Sequence, residues 1–213
     1  MRTQVTPVAD PKALEKATQL LKAGGLVAFP TDTVYGVGAH AFLPRAVESI
    51  YRAKGRPLNK AIPLLLHSAE SLPQVARDIT PEVWVLTENF WPGGLTVVLH
   101  RKPVVPDIVT AGGSTVAVRV PDHPFTLRLI QAVGAPLAAT SANLTGHPDP
   151  QTAQEVMEYL EGRIALILDG GRCPGGIPST VIDLTKTPPV VVRPGAISRQ
   201  ELEEEIGRLF RAR

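Results

Sequence analysis

The sequence predicts an α/β protein built on a mixed sheet. Strand-like apolar runs and amphipathic helical stretches alternate along the chain, which is the pattern of a layered α/β fold. The apolar runs are short and bounded by Gly and Pro, as buried strands are. Three late strands, at 164–168, 180–184 and 190–192, follow one another without an intervening helix, so the sheet is not purely parallel. A chain of 213 residues with 44% hydrophobic and 20% charged residues supports one folded domain with a sizeable core, and excludes a largely disordered protein.

The elements read in order as follows. Asp10-Pro11 opens a helix with Leu14, Ala17, Leu20 and Leu21 on one face, closed by Gly24-Gly25. Leu26–Phe29 is a short strand that runs into Pro30-Thr-Asp-Thr-Val-Tyr-Gly36. Residues 44–54 are helical, Ile62–Leu66 a buried strand, and Pro81–Phe90 a helix. Leu95–Leu99 and Val116–Val120 are strands. Pro124–Val133 is an apolar-faced helix leading to the strand Leu137–Ala139. Thr152 and Glu155 form a capping box, as do Ser198 and Glu201, and each opens a helix. The chain reads as one domain over 10–200, followed by a C-terminal helix and tail over 201–213, with residues 1–8 as a loose end.

A net charge of +2 and a pI of 8.8 do not by themselves imply a polyanionic partner. The single cysteine, Cys173, excludes an intramolecular disulfide. No apolar run approaches the roughly 18 residues of a membrane span, and the N-terminus lacks a signal-peptide core. A cytoplasmic protein with no membrane partner is the expectation.

Two familiar nucleotide signatures fail. Gly36-Val-Gly-Ala-His-Ala41 fits the G-x-G-x-x-A pattern, but no acidic residue stands between Glu48 and Glu70 to take a ribose, so it reads as a glycine-permitted turn. Gly171 and Gly176 have the glycine spacing of a phosphate loop, yet Ile177 occupies the lysine position. The five histidines show no metal-ligand spacing, so metal ligands stay unassigned.

What remains is a set of polar residues at strand ends. Thr31, Asp32 and Thr33 follow the first strand. Lys54 and Arg56 follow a helix. Thr115 and Arg119 share one face of a strand by two-residue alternation. Ser141 and Asn143 follow an apolar strand, Ser179 precedes another, and Arg193 ends the last. Ligands in α/β sheets sit at the carboxyl ends of strands. Hydroxyls, an amide and four cations converging there suit a phosphorylated, carboxylate-bearing ligand. Arg119 stands out, because an arginine inside an apolar strand needs an anion or a path to solvent.

Pro30-Thr-Asp-Thr-Val-Tyr-Gly, Lys54-Gly-Arg-Pro, Phe90-Trp-Pro-Gly, Thr115-Val-Ala-Val-Arg, Ser141-Ala-Asn, Ser179-Thr-Val-Ile-Asp and Arg193-Pro-Gly together resemble the YrdC/TsaC family of threonylcarbamoyl-AMP synthases. The resemblance covers about residues 10–200, in the family's order, and matches its single-domain form. It implies a YrdC-like twisted open sheet flanked by helices, with a concave, positively charged ligand cleft. It implies that L-threonine, bicarbonate or CO2 and ATP give threonylcarbamoyl-AMP and pyrophosphate, with Mg2+ beside the ATP. The product would serve threonylcarbamoyladenosine modification of tRNA next to the anticodon, by way of downstream transfer proteins and with tRNA as a further possible contact.

The resemblance also implies site roles. Thr33, Thr115, Arg119 and Ser179 surround threonine or its carbamate. Lys54, Arg56, Asn59, Lys60, Ser141, Asn143 and Arg193 surround ATP, with Lys54 and Arg56 as the catalytic cations. The Asn59–His67 stretch differs in length from many relatives, and His67 receives no role. Asp149 stands near a position where relatives can carry a serine close to the nucleotide. The competing readings are an RNA-binding module, and a maturation factor of the same fold acting on another acceptor.

Overall fold

The structure is a computed structural model that describes residues 2–211. The described strands form one eleven-stranded mixed sheet, with order β1-β9-β2-β3-β8-β4-β7-β6-β10-β11 and β5 paired to β6. The strands are β1 (Gln4–Pro7), β2 (Val27–Phe29), β3 (Gly36–His40), β4 (Leu64–Leu65), β5 (Ala76–Arg77), β6 (Leu95–Arg101), β7 (Thr115–Arg119), β8 (Leu137–Ser141), β9 (Leu166–Asp169), β10 (Thr180–Asp183) and β11 (Val190–Arg193). The helices are α1 (Ala13–Lys22), α2 (Pro44–Lys54), α3 (Leu72–Val75), α4 (Pro81–Phe90), α5 (Asp107–Thr110), α6 (Pro124–Val133), α7 (Ala153–Leu160) and α8 (Arg199–Arg211). None of the described helices is long and apolar enough to cross a membrane.

Strand alternation sorts the side chains into two cores. Val27 and Phe29, Leu137 and Ala139, and Leu166 and Leu168 pack under α1 and α6, with Ala13, Ala17, Leu21, Phe125, Leu129 and Val133. The residues between them, Ala28, Ala138 and Ile167, point the other way, into the larger core beneath α2, α4 and α7. Both faces of this half of the sheet are therefore buried, and its strands read as continuous apolar runs.

The other half is covered on one face only. Leu95, Val97 and Leu99 of β6, Val116 and Val118 of β7, and Ile182 of β10 join the larger core. By alternation Thr96, Thr115, Ala117 and Arg119 lie on the opposite face, beyond the reach of α1 and α6. The cleft forms where that helical cover stops.

The helix at residue 13 begins differently from the predicted Asp10 cap. Lys12 is the capping residue and makes no side-chain cap, while the Asp10 carboxylate accepts the Lys12 amide at 2.8 Å one turn earlier. Of the two predicted capping boxes, the one at Ser198–Glu201 forms in full, while at Thr152 the Glu155 carboxylate reaches the amide one residue before the cap. Thr152 accepts from the Glu155 amide at 3.2 Å, and Glu155 accepts from the Gln151 amide at 2.6 Å. Ser198 and Glu201 exchange backbone-to-side-chain bonds of 3.2 and 2.8 Å. Of the C-terminal segment, residues 212 and 213 lie outside the described residues.

Two expectations are corrected. Residues 4–7 are not a loose end: β1 pairs in parallel with β9, from Gln4 opposite Leu166 to Pro7 opposite Asp169. Gly36–His40 is not a turn but β3, antiparallel to both β2 and β8. Its glycines are there for space. A Cβ on Gly36 or Gly38 would stand 3.1 or 3.0 Å from the ring of Phe29, which lies across the strand.

Candidate active site

A cavity of about 340 Å3 opens at the boundary between the covered and uncovered halves of the sheet. Its wall carries Thr31, Thr33, Tyr35, Thr96, Ser141 and Ser179, three arginines (Arg56, Arg119 and Arg193) and one carboxylate, Asp149. Leu65, Ala139 and Pro63 supply apolar lining. The volume lies within the roughly 300–1,000 Å3 of small-molecule sites, and the few converging polar groups are typical of them.

One end is built around Arg119. Its guanidinium donates to the Asp32 carboxylate at 2.6 Å, to Thr33 Oγ1 at 3.0 Å and to the Gly93 carbonyl at 2.8 Å. The residue is 7% exposed. Burial lowers its pKa, and the Asp32 charge opposes that. The anion that an in-strand arginine requires is thus internal. Asp32 is the residue the sequence pattern did not single out for this part, although it lies inside the Pro30-Thr-Asp-Thr motif.

The turn that presents Asp32 and Thr33 is held by Thr31. Its hydroxyl donates to the Val34 carbonyl at 2.7 Å and accepts from the Thr33 and Val34 amides at 3.1 and 3.2 Å. This is the hydroxyl-to-backbone bonding that makes threonine a good turn residue. Ser179 faces the same end, 2.8 Å from the Thr96 hydroxyl. Arg193, across the β10–β11 pair, donates to the Ser179 carbonyl at 2.7 Å and to its hydroxyl at 3.2 Å. Thr96 was missed, though a lone polar residue between Leu95 and Val97 marks the open face.

The segment 170–179 is tied down over this end. Tyr35 donates to the Gly171 carbonyl at 2.7 Å and accepts the Gly170 amide at 3.1 Å. The Gly175 and Gly176 amides reach the carbonyls of Asp32 and Thr33 at 3.1 and 2.8 Å. Backbones meet so closely that a Cβ on Gly175 would lie 2.6 Å from the Asp32 oxygen. Burial pushes the Tyr35 phenol up to about 12, so it stays a donor at every physiological pH. Tyr35→Phe is expected to cost roughly 1–3 kcal/mol through the unpaired Gly170 amide and Gly171 carbonyl, read as a lower urea midpoint with faster proteolysis at 170–179.

The other end is built around α2 and the turn after β8. Arg56 donates to the carbonyls of Ala61 at 2.7 Å and Lys60 at 3.2 Å, which aims its remaining donors at the cavity. Lys54 is only 3% exposed and does not line the cavity. Its ammonium donates to the carbonyl of Ser141, to the Asn143 carbonyl at 2.7 Å and to Asn143 Oδ1 at 2.9 Å. Three donors meet three acceptors, and none is left for a phosphate. Lys54 therefore braces the Ser141–Asn143 turn. Asn143 faces inward too, donating to the His147 carbonyl at 2.5 Å.

Burial, assisted by the nearby Arg56 charge, lowers the Lys54 pKa from 10.5 to about 8. Between those values only the unfolded chain holds the Lys54 proton, so unfolding takes up protons and stability rises with pH. Lys54 is expected to add stability from pH 8 towards 10. Above 9 the buried Cys173 thiol, which ionises first in the unfolded chain, offsets this gain. Urea midpoints at each pH should therefore show wild type gaining on Lys54→Met across this window. Above 10 the raised Tyr35 pKa acts in the opposite sense, because the unfolded phenol ionises first.

Besides Lys54 and Asn143, three residues assigned by resemblance lie outside the cavity wall. Thr115 shares the face of Arg119 but begins β7. Four residues of strand rise separate the two by about 13 Å, and Thr115 is not part of the wall. Asn59 and Lys60 are exposed and outside the cavity, Lys60 contributing only its carbonyl to Arg56 and Tyr51. His67 also lies apart, 3.2 Å from the Ser71 hydroxyl. Alternation fixed which face Thr115 is on, but not how far along the strand the cleft extends.

Comparison with known proteins agrees with this architecture. The Sua5/YciO/YrdC family model, described as telomere recombination, matches residues 19–195. A threonylcarbamoyl-AMP synthase of Pyrococcus abyssi is 47% identical over 91% of this chain, which spans 57% of that relative's length. One of Vibrio campbellii is 35% identical over 81% of this chain and 94% of its own. The crystal structure of P. abyssi Sua5 complexed with L-threonine superposes with a TM-score of 0.91 at 44% identity, over 97% of this chain and 60% of that one. E. coli YciO superposes at 0.83 with 28% identity, over 94% and 98%. A family-model match over residues 19–195, relatives that are 35–47% identical and a shared fold place this chain in the Sua5/YciO/YrdC family.

Proposed function

We propose that the protein is a threonylcarbamoyl-AMP synthase, joining L-threonine, CO2 or bicarbonate and ATP into threonylcarbamoyl-AMP with release of pyrophosphate. The observation that carries the reading is the cavity itself. A braced guanidinium among hydroxyls at one end, with two further arginines and Ser141 in the same wall, suits a small hydroxylated amino acid beside a polyphosphate. The L-threonine complex of the P. abyssi relative supports threonine as that amino acid.

In this reading the neutral threonine nitrogen attacks the carbon of CO2, one C–O π bond moves onto oxygen, an N–H proton passes to solvent and a carbamate results. A carbamate oxygen then attacks the α-phosphorus, and the bond to the bridging oxygen of pyrophosphate breaks. Such transfers depend on positioning and charge stabilisation more than on covalent chemistry. Arg119 takes the threonine carboxylate with donors left over from its internal bonds, and Thr33 and Ser179 present hydroxyls to the same substrate. Arg56 and Arg193 neutralise charge as it moves onto the leaving pyrophosphate. Lys54 acts at one remove, by fixing the Ser141–Asn143 turn. A magnesium ion bound with the ATP would withdraw charge from the phosphates. The product would pass to proteins that modify tRNA in the cytoplasm.

Pyrophosphate release should require ATP, threonine and bicarbonate together. Leaving out each in turn tests this, and release without threonine would sink the reading. Arg56→Ala should lower kcat/KM by about 100-fold, the scale of losing one charge-stabilising donor. RNA binding with a steep salt dependence and no pyrophosphate release would instead favour a binding module.

A further inference from the structure

We propose that Asp149 is the protein's own ligand for the divalent cation that enters with the nucleoside triphosphate. The proposal rests on the ATP reading above. Among the described residues Asp149 is the one carboxylate in a wall that otherwise carries three guanidiniums and hydroxyls. It is half-buried and takes part in none of the described ion pairs. It lies near Lys54 and Arg193, and its charge partly offsets the burial that lowers the pKa of each. Yet Lys54 spends its donors on the 141–143 turn and Arg193 spends donors on Ser179. Lys54 is thus fully engaged, Arg193 keeps only its second terminal nitrogen for the cavity, and neither forms an ion pair with the carboxylate, which keeps its lone pairs.

A free carboxylate at the end of the cavity that would hold phosphates opposes binding of a polyanion. Like charges a few ångströms apart repel, and partial burial strengthens the repulsion. A divalent cation between carboxylate and phosphate turns that repulsion into attraction. Mg2+ is commonly held in this way, by one or two carboxylates plus substrate phosphates and retained waters. The donor set fits this and no more. No group of three His, Cys, Asp or Glu side chains among the described residues is able to hold a metal ion. The ion must therefore arrive with the phosphates. Ser141, whose hydroxyl donates to Asn143 Oδ1 at 2.7 Å, keeps lone pairs free on the same wall.

The test is a crossover in ATP affinity, measured by calorimetry on the wild type and the near-isosteric Asp149→Asn. Without metal, in EDTA, the variant should bind ATP more tightly, because a repelling charge has gone. With Mg2+ the order should reverse, the variant losing roughly tenfold or more, as altered metal sites do. Mn2+ in place of Mg2+ gives a second readout. Its electron paramagnetic resonance signal should broaden on the wild type when ATP is present, and less on the variant. An equal loss with and without metal would overturn the proposal and point to a hydrogen bond from Asp149 to a ribose hydroxyl. Tight Mn2+ binding without ATP would overturn it as well. A folded wild type that binds no ATP under either condition would remove the ATP reading itself, and the proposal with it.

Discussion

Arg119→Ala is expected to be the most damaging single change, lowering stability and activity together. Truncation leaves the largely buried Asp32 carboxylate, 16% exposed, with only the Asp122 amide, at 3.0 Å, as a hydrogen-bond partner. Breaking a buried pair in this way costs about 3–5 kcal/mol. It also removes a donor to Thr33 and the proposed grip on the threonine carboxylate, worth about 100- to 1,000-fold in kcat/KM by comparison with other charge-stabilising donors. The two effects separate in a double variant. Arg119→Met with Asp32→Asn removes both charges, so urea denaturation should show most of the lost stability restored. Pyrophosphate release should stay as low as in the single variant. Recovery of activity along with stability would show that Arg119 holds the fold and nothing else.

Gly195→Ala is expected to be the second most damaging. An added Cβ would stand 2.3 Å from the Pro178 oxygen and 2.5 Å from backbone atoms of Ser179 and Thr180. The obstacle is main chain, not the end of a flexible side chain, so the β10–β11 region must move. Overpacking of this kind costs roughly 1–3 kcal/mol or more, and here it displaces Ser179 and Arg193 at once. Gly207→Ala is the matched control. It lies in α8 with nothing within 4 Å of the added methyl. Alanine there should raise stability by up to about 1 kcal/mol, the glycine penalty in a helix. Thermal denaturation of the two variants should therefore shift in opposite directions.

The fold class was legible because it depends on periodicity, which a sequence displays directly. Both buried strands and amphipathic helices announce themselves over short windows, as Leu26–Phe29 and Pro124–Val133 do. What stayed hidden depends on distant partners. Nothing local in Gln4–Pro7 says that β9 lies alongside it. Gly36 and Gly38 look like turn residues until Phe29 is seen lying over them. The site divides in the same way. The need for an anion at Arg119 was readable, and its motif neighbour Asp32 supplies it. The exhaustion of the Lys54 donors was not readable, because its acceptors lie 87 and 89 residues further along.

The place of β9 in the sheet also bears on synthesis. β1 and β2 are made first, yet β9 separates them, pairing with both in parallel. β2 finds β3 within a few residues, but β1 has no neighbour, and β2 lacks its second one, until residues 166–169 leave the ribosome. Until then the growing chain carries unpaired strand edges, the condition that favours aggregation and engagement by chaperones. The cleft waits longer still, since Arg193 arrives after all the other groups in its wall.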